Sequence, residues 1–108
     1  MKQIKAFIHH VRTAAVIEAL GDAGYRNITL HDVKGTLRPI TENERDYSAE
    51  AGGLVISEVK LSLVVDDAEV DAVTSIVRTV GRVGLHPHVC GYVYVSPVEQ
   101  ALPIGGTE

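Results

Sequence analysis

The chain has 108 residues, which is enough for one domain. Its net charge of −4, without a cluster of Lys or Arg, argues against nucleic acid or an anionic membrane as the main partner. A single cysteine, Cys90, excludes an intrachain disulfide and is typical of a reducing cytosol. No stretch has the long apolar region of a signal peptide or could span a bilayer. We therefore expect a cytoplasmic protein without membrane insertion.

The first predicted element is a strand over residues 2–9, in which apolar side chains alternate with others. His9 and His10 come at its end. Adjacent residues of a strand point to opposite faces of the sheet. We therefore expect that the two imidazoles do not serve one site.

A helix is predicted next, over residues 12–24, because the segment is rich in Ala and places Leu20 and Ala23 on one face. Gly24 is a typical helix stop, since glycine readily adopts left-handed backbone angles. Alternation resumes over residues 27–35 and predicts a second strand.

A polar run follows over residues 38–53, with neither the period of a strand nor that of a helix. Loops of this length are uncommon in small domains and are usually functional or disordered. We predict a mobile loop without regular structure that is available to a partner. Arg45 and Tyr47 are its candidate contacts, with Tyr47 as an anchor because aromatic residues carry much interface energy. The alternative is an ordinary solvated loop face.

The second half begins with a predicted strand over residues 54–65, which is rich in β-branched residues. Asp66 and Glu69 then have the spacing of a capping box, although Asp replaces the usual Ser or Thr. An apolar stripe over residues 70–80 predicts a second amphipathic helix, which Gly81 ends.

The chain closes with a loop over residues 81–91, a strand over residues 92–95 and a tail over residues 97–108. The order is thus β-α-β, long loop, β-α-β. This order predicts an α+β protein with the ferredoxin-like fold, in which both helices cover one face of an antiparallel sheet. The third strand is apolar on both faces, so we expect another subunit to cover the open sheet face.

Six segments together have a familiar order and spacing: MKQIKAFI (1–8), VIEAL (16–20), ITLHDVKG (28–35), VKL (59–61), VVDDAEVDAV (64–73) and GYVYVSPVEQA (91–101). Through them the chain resembles the PII signal-transduction proteins over nearly its whole length. The resemblance implies a homotrimer of ferredoxin-like subunits with an adenine nucleotide bound between neighbours. It also implies a regulatory protein, not an enzyme, whose residues 38–53 form the T-loop that contacts a protein partner.

The resemblance also implies a set of nucleotide-binding residues. Thr29 would contact the adenine, Gly35 would begin a turn along the nucleotide, and Arg38 would lie near the phosphates. Glycine permits close backbone approach, and Arg presents a fork of donors to phosphate. The complete set is Ile28, Thr29, Gly35, Thr36, Leu37, Arg38, Val64, Arg82, Gly84 and Gly91, the last three in a lid over residues 81–91.

Departures from the family pattern remove cations from this site. Tyr92 replaces a phosphate-binding Lys, and the two C-terminal Arg positions hold Pro103 and Gly105. Each charge-assisted contact that is lost costs roughly 1.5–3 kcal/mol of binding. ATP should lose most and AMP least, so the sequence favours ADP or AMP over ATP.

Other departures concern 2-oxoglutarate and covalent modification. Pro39 and Glu58 stand where the family places a Gln and a Lys that bind 2-oxoglutarate, and Ala51 and Ala49 stand at the modified Tyr and Ser positions. The nitrogen-sensing role is therefore not expected to carry over. The carboxysome-associated PII-like branch, which is linked to inorganic-carbon uptake and responds to adenine nucleotides and bicarbonate, fits this description. Bicarbonate is then a candidate second effector, and a membrane transporter is a candidate partner.

The alternative function is a metal-binding trimer of the same fold, similar to copper-tolerance proteins. His86, His88 and Cys90 would share one face of an extended loop, and two nitrogens with one sulfur suit zinc or copper. Their spacing matches no established motif, so we favour the interpretation that they belong to an inserted loop that reshapes the nucleotide lid. No coherent set of catalytic residues is present, so we expect neither an enzyme nor a resident cofactor.

Overall fold

The computed structural model describes residues 1–84 and 88–106. Within these ranges the strands are β1 (Lys2–His9), β2 (Thr29–Gly35), β3 (Asp46–Ser48), β4 (Gly53–Val65) and β5 (Gly91–Pro97), and the helices are α1 (Thr13–Asp22) and α2 (Val70–Val80). Short 3-10 helices cover His10–Arg12, Glu42–Glu44 and Asp67–Glu69. No helix in the described ranges is long and apolar enough to cross a membrane.

The main sheet has the order β2-β4-β1-β5, and every neighbouring pair is antiparallel. β1 lies in the middle, where Lys2 pairs with Val65 of β4 and with Pro97 of β5. β4 continues past the end of β1 and pairs there with β3. The predicted ferredoxin-like α+β fold is confirmed.

The core lies between one face of this sheet and the two helices. Its members come from alternate positions of the strands and from one stripe of each helix: Ile4, Ala6, Ile8, Val59, Leu61, Leu63, Val65, Val16, Leu20, Val73 and Val77. Full burial of such a side chain contributes about 1.5–3 kcal/mol. The predicted helix stripes are thus confirmed, except that Ala23, beyond the end of α1, is exposed.

The opposite face of the sheet is apolar but open in the single chain. Phe7 packs edge-to-face on Tyr94 with ring centroids 6.0 Å apart, and Tyr92 stacks beside Tyr94. Both tyrosines and Val64 remain substantially exposed. This face is therefore an exposed apolar surface in the single chain.

The prediction that residues 38–53 lack regular structure is wrong. This segment contains the 3-10 helix Glu42–Glu44 and the strand β3, which forms a hairpin with the start of β4. Gly52 closes the hairpin with φ +69°, and its N–H donates to the Ser48 carbonyl at 2.9 Å. The three-residue strand is too short for alternation to reveal it.

Smaller differences concern the ends of elements. β2 begins at Thr29 and not at residue 27, because Asn27 has φ +59°, which is incompatible with a strand. The Asp66 side chain forms no capping hydrogen bond, so the predicted capping box is wrong. Gly24 does end the first helical segment with φ +92°, as predicted.

Candidate functional site

The predicted nucleotide-binding residues separate into two groups along β2. Thr29 begins the strand and faces an open groove that Ser62 and Val64 of β4 also line. Gly35 ends the strand six residues later, about 20 Å away at the rise of a β-strand. Ile28 packs against the core. Within one chain, the two groups of predicted residues are therefore too far apart to contact the same small ligand.

The groove beside Thr29 also contains Tyr25 and Glu69. The Tyr25 hydroxyl donates a hydrogen bond to the Glu69 carboxylate. This bond, with lesser contributions from desolvation and the negative charge of Glu69, raises the pKa of Tyr25. The pair joins the α1–β2 connection to the start of α2 beside the groove.

The base of the T-loop is built on a buried carboxylate. Glu58 of β4 is only 5% exposed, and its Oε2 accepts a hydrogen bond of 2.9 Å from the Leu37 N–H. A Cβ on Gly35 would lie 2.1 Å from the same Oε2 atom. Glycine at position 35 thus lets the Glu58 carboxylate lie against the backbone, and a Cβ there would displace this side chain. Thr36 and Arg38, on either side of Leu37, are exposed.

Arg38 lies between the T-loop and the lid. It lines an open groove with Arg45 and also a small cavity of about 60 Å³ that includes His9, Val83 and Cys90. Arg82 and Gly91 line a separate pocket beside this cavity. A Cβ on Gly91 would meet the Phe7 carbonyl oxygen at 2.1 Å, so strand pairing alone requires this glycine. Gly84, also in the lid, has φ +55°.

The alternative metal ligands are only partly within the described ranges. His86 lies outside them. Cys90 Sγ accepts a contact from the Val83 N–H at 3.5 Å and donates to the His88 carbonyl at 3.4 Å. Within residues 1–84 and 88–106, the one group of three candidate ligand atoms lies elsewhere, at His9, His10 and Glu44.

His9 and His10 converge on one carboxylate, so the prediction that they cannot serve one site is wrong. His9 Nε2 lies 2.5 Å and His10 Nε2 4.0 Å from Glu44 Oε2. The two rings stack with centroids 4.6 Å apart. The reason is that β1 ends at His9 and a 3-10 helix begins at His10, so strand alternation does not apply. No local signal in the sequence pairs these histidines with Glu44.

Glu44 makes hydrogen bonds within the T-loop and also connects the T-loop to the core. Its Oε1 accepts hydrogen bonds from the N–H groups of Ile40 at 2.7 Å and Thr41 at 3.0 Å. Desolvation alone would raise the pKa of Glu44, but hydrogen bonds from Thr41, His9 and Ile40 together hold this pKa below its ordinary value. His9 is 2% exposed, so the contact ties the loop to the buried end of β1.

The candidate partner contacts lie further along the T-loop. Arg45 pairs with Glu42 at 3.4 Å. Tyr47 in β3 is 71% exposed and lies directly across from Leu54, which is also exposed. Directly opposed residues in an antiparallel pair share one face. Tyr47 and Leu54 therefore form a small apolar surface on the hairpin.

Comparison with known proteins gives a consistent result. Residues 1–107 match the family described as Nitrogen regulatory protein P-II. The chain is 32% identical over 104 residues to the Nitrogen regulatory protein P-II of Nostoc punctiforme, covering 96% of this chain and 91% of the relative. It is 32% identical over 107 residues to the protein of the same name from Rhizobium meliloti, with the same coverage. It is 31% identical over 106 residues to the Nitrogen fixation nifHD region GlnB-like protein 1 of Methanothermobacter marburgensis, covering 96% and 93%. The chain therefore belongs to the PII family of nitrogen regulatory proteins.

Proposed function

We propose that this PII-family protein is a cytoplasmic, non-catalytic homotrimer that binds an adenine nucleotide between neighbouring subunits. ADP or AMP is preferred over ATP, and the bound nucleotide changes how the T-loop contacts a protein partner. The observation that carries the proposal is the division of the predicted site between the two ends of β2, which a second subunit would complete.

The open sheet face supports the trimer. Tyr92, Tyr94 and Val64 are exposed on it in the single chain, and apolar surface of this kind favours association. Association would also bring the Thr29 end of one subunit towards the Gly35 end of another. The adenine would then lie beside Thr29 and Val64, and the phosphates beside Arg38.

The preference for ADP or AMP follows from the charges that remain. Arg38 and Arg82 are exposed near the T-loop base and the lid, where they can face phosphates. Tyr92, in contrast, stacks with Tyr94 and brings no charge. Each further phosphate adds negative charge that must be desolvated without a matching cation, so ATP binds less tightly than ADP or AMP.

The second effector proposed here is a small anion such as bicarbonate. Arg38 lines a small cavity of about 60 Å³ with His9 and Cys90, where its guanidinium can pair with such an anion. The buried carboxylate of Glu58 would repel the dicarboxylate 2-oxoglutarate at the T-loop base.

The partner surface proposed here is the T-loop hairpin. Tyr47 and Leu54 offer an apolar anchor, and Arg45, which pairs with Glu42 at 3.4 Å, precedes Tyr47 by two residues and adds a charged contact. A membrane transporter for inorganic carbon is the candidate partner if the chain belongs to the carboxysome-associated branch.

Calorimetric titration with ATP, ADP, AMP and adenosine, each with and without bicarbonate or 2-oxoglutarate, tests the proposal. We expect ADP or AMP to bind more tightly than ATP, with no effect of 2-oxoglutarate. Arg38→Gln should weaken ADP binding by about tenfold, equivalent to ~1.4 kcal/mol, and leave adenosine unchanged. Absence of nucleotide binding, or a monomer in analytical ultracentrifugation, would refute the proposed site.

A further inference from the structure

We propose that His9, His10 and Glu44 form a binding site for a divalent transition-metal ion of the zinc type. Each of these residues offers one ligand atom within 4.8 Å of those of the other two, and His9 Nε2 and His10 Nε2 lie 2.5 Å and 4.0 Å from Glu44 Oε2. None of the three residues is a proposed nucleotide contact, although His9 also lines the cavity that contains Arg38.

The donor set and the distances suit such an ion. Two imidazole nitrogens and one carboxylate oxygen are ligands that zinc accepts, with bonds of about 2.0–2.2 Å. Tetrahedral coordination then separates neighbouring ligand atoms by about 3.3 Å. The distances to Glu44 Oε2, 2.5 Å from His9 and 4.0 Å from His10, lie on either side of this value. Modest shifts of the side chains would therefore complete three bonds and leave a fourth position open.

Hydrogen bonds from neighbouring backbone groups orient the Glu44 carboxylate for metal binding. Glu44 Oε1 is fixed by the N–H groups of Ile40 and Thr41, which leaves Oε2 directed at the imidazoles. Supporting hydrogen bonds of this kind orient metal ligands and strengthen binding. His9 is buried, whereas the His10 side chain is half exposed, so an ion can enter from the His10 side.

One contact must change when the ion binds. His9 Nδ1 accepts a hydrogen bond from the Val11 N–H at 3.1 Å, so neutral His9 carries its proton on Nε2 and donates it to Glu44. An ion on Nε2 requires this proton to move to Nδ1, and the Val11 hydrogen bond is then lost. No net proton is released by His9 in this step. The Val11 amide is thus a built-in reporter of coordination by His9.

The consequence for regulation rests on the proposed function. Glu44 belongs to the T-loop, whereas His9 and His10 belong to the end of β1 and the 3-10 helix after it. A bound ion would replace one hydrogen bond between loop and core with a three-ligand link. It would fix residues 40–44 and so limit the conformations that the loop presents to a partner.

The test is a titration of the tag-free full chain with Co²⁺, followed by its visible absorption bands, with and without ADP. We expect one ion per chain and displacement by Zn²⁺. His10→Ala and Glu44→Gln should each weaken binding about tenfold or more. Two matched controls, His88→Ala and Glu42→Gln, should bind Co²⁺ as the parent chain does. The histidine control also excludes a site at His88.

A second measurement tests whether the ion binds at the His9 and His10 end of the site. In ¹H–¹⁵N spectra we expect Zn²⁺ to move the Val11 amide resonance, and His10→Ala to prevent this movement at the same Zn²⁺ concentration. The proposal is overturned by absence of Co²⁺ bands, by an unchanged Val11 amide in the metal-bound protein, or by equal losses in His10→Ala and His88→Ala. The titrations with and without ADP distinguish the metal site from the proposed nucleotide site. If ADP does not bind, the Co²⁺ titration without ADP still tests the metal site.

Discussion

The contact between Gly35 and Glu58 gives the sharpest test of how the T-loop base is held. A Cβ at position 35 would lie 2.1–2.4 Å from the two carboxylate oxygens and the carboxyl carbon of Glu58. These atoms end a flexible side chain, so the carboxylate, and not the backbone, has to move. When it moves, the hydrogen bond from the Leu37 N–H to Glu58 Oε2 is lost.

The size of the effect follows from two opposing contributions. Loss of a hydrogen bond to a charged group costs about 1.5–3 kcal/mol. Replacing glycine by alanine in a strand returns about 0.5–1 kcal/mol through lower chain entropy in the unfolded state. We therefore expect Gly35→Ala to lower the free energy of unfolding by about 1–2 kcal/mol. In a chain that already carries Glu58→Ala, the clash is absent, and Gly35→Ala should be neutral or stabilising.

A double-mutant cycle measured by urea unfolding checks this expectation, with protein concentration held constant because the proposed association would contribute to stability. The expected coupling between the two positions is about 1.5–3 kcal/mol. Additive effects of Gly35→Ala and Glu58→Ala, within about 0.5 kcal/mol, would show that the Glu58 carboxylate does not lie against Gly35, and the argument for the T-loop base would fail.

Three further substitutions test other contacts. Gly91→Ala places a Cβ 2.1 Å from the Phe7 carbonyl oxygen, which is backbone and cannot turn away; we expect a loss of more than about 2 kcal/mol in urea unfolding, and an unchanged midpoint would contradict the β1–β5 pairing. Gly21→Ala in α1 has open space around the new methyl group, so thermal unfolding should show a gain of about 0.5–1 kcal/mol. Tyr25→Phe tests the raised pKa of Tyr25, which arises from the hydrogen bond to Glu69. A raised folded pKa means that this stabilisation is present below pH ~10 and is lost as the pH rises through the folded pKa. The stability difference between parent and Tyr25→Phe should therefore shrink in alkaline solution, and a constant difference from pH 8 to 11 would rule out this linkage.

The fold could be predicted because its pattern is periodic. In α2 the apolar stripe repeats at helical spacing, and Val73 and Val77 are buried where the period places them. In β1, alternation alone separates Ile4 and Ile8, which face the helices, from Phe7 on the other side. Such patterns are local, so sequence reasoning recovers the elements and, through their order, the topology.

The T-loop contacts could not be predicted in the same way, because they join residues distant in the chain. His9 and Glu44 are separated by 35 positions, and neither lies in a motif that indicates the other. The close approach of Glu58 to Gly35 depends on the register of β2 against β4, in which Gly35 pairs with Ile56. The family resemblance implied that position 35 is glycine so that a nucleotide can approach the backbone. The close contact with the Glu58 carboxylate already explains a glycine at this position.

The two contacts have a joint consequence for the loop. Glu58 fixes the N–H of Leu37, and His9 fixes Glu44, so the segment between them is held at both ends by groups of the core. Arg38, the proposed phosphate contact, lies inside this short segment. A ligand that moves Arg38 must therefore break one of these two hydrogen bonds in order to change the position of the β3–β4 hairpin. Each end is a single hydrogen bond, but the Glu44 carboxylate is partly exposed whereas that of Glu58 is buried, so the His9–Glu44 end is the one expected to yield. Under the proposed function, the nucleotide signal and the proposed metal ion thus act on the same contact, in opposite directions.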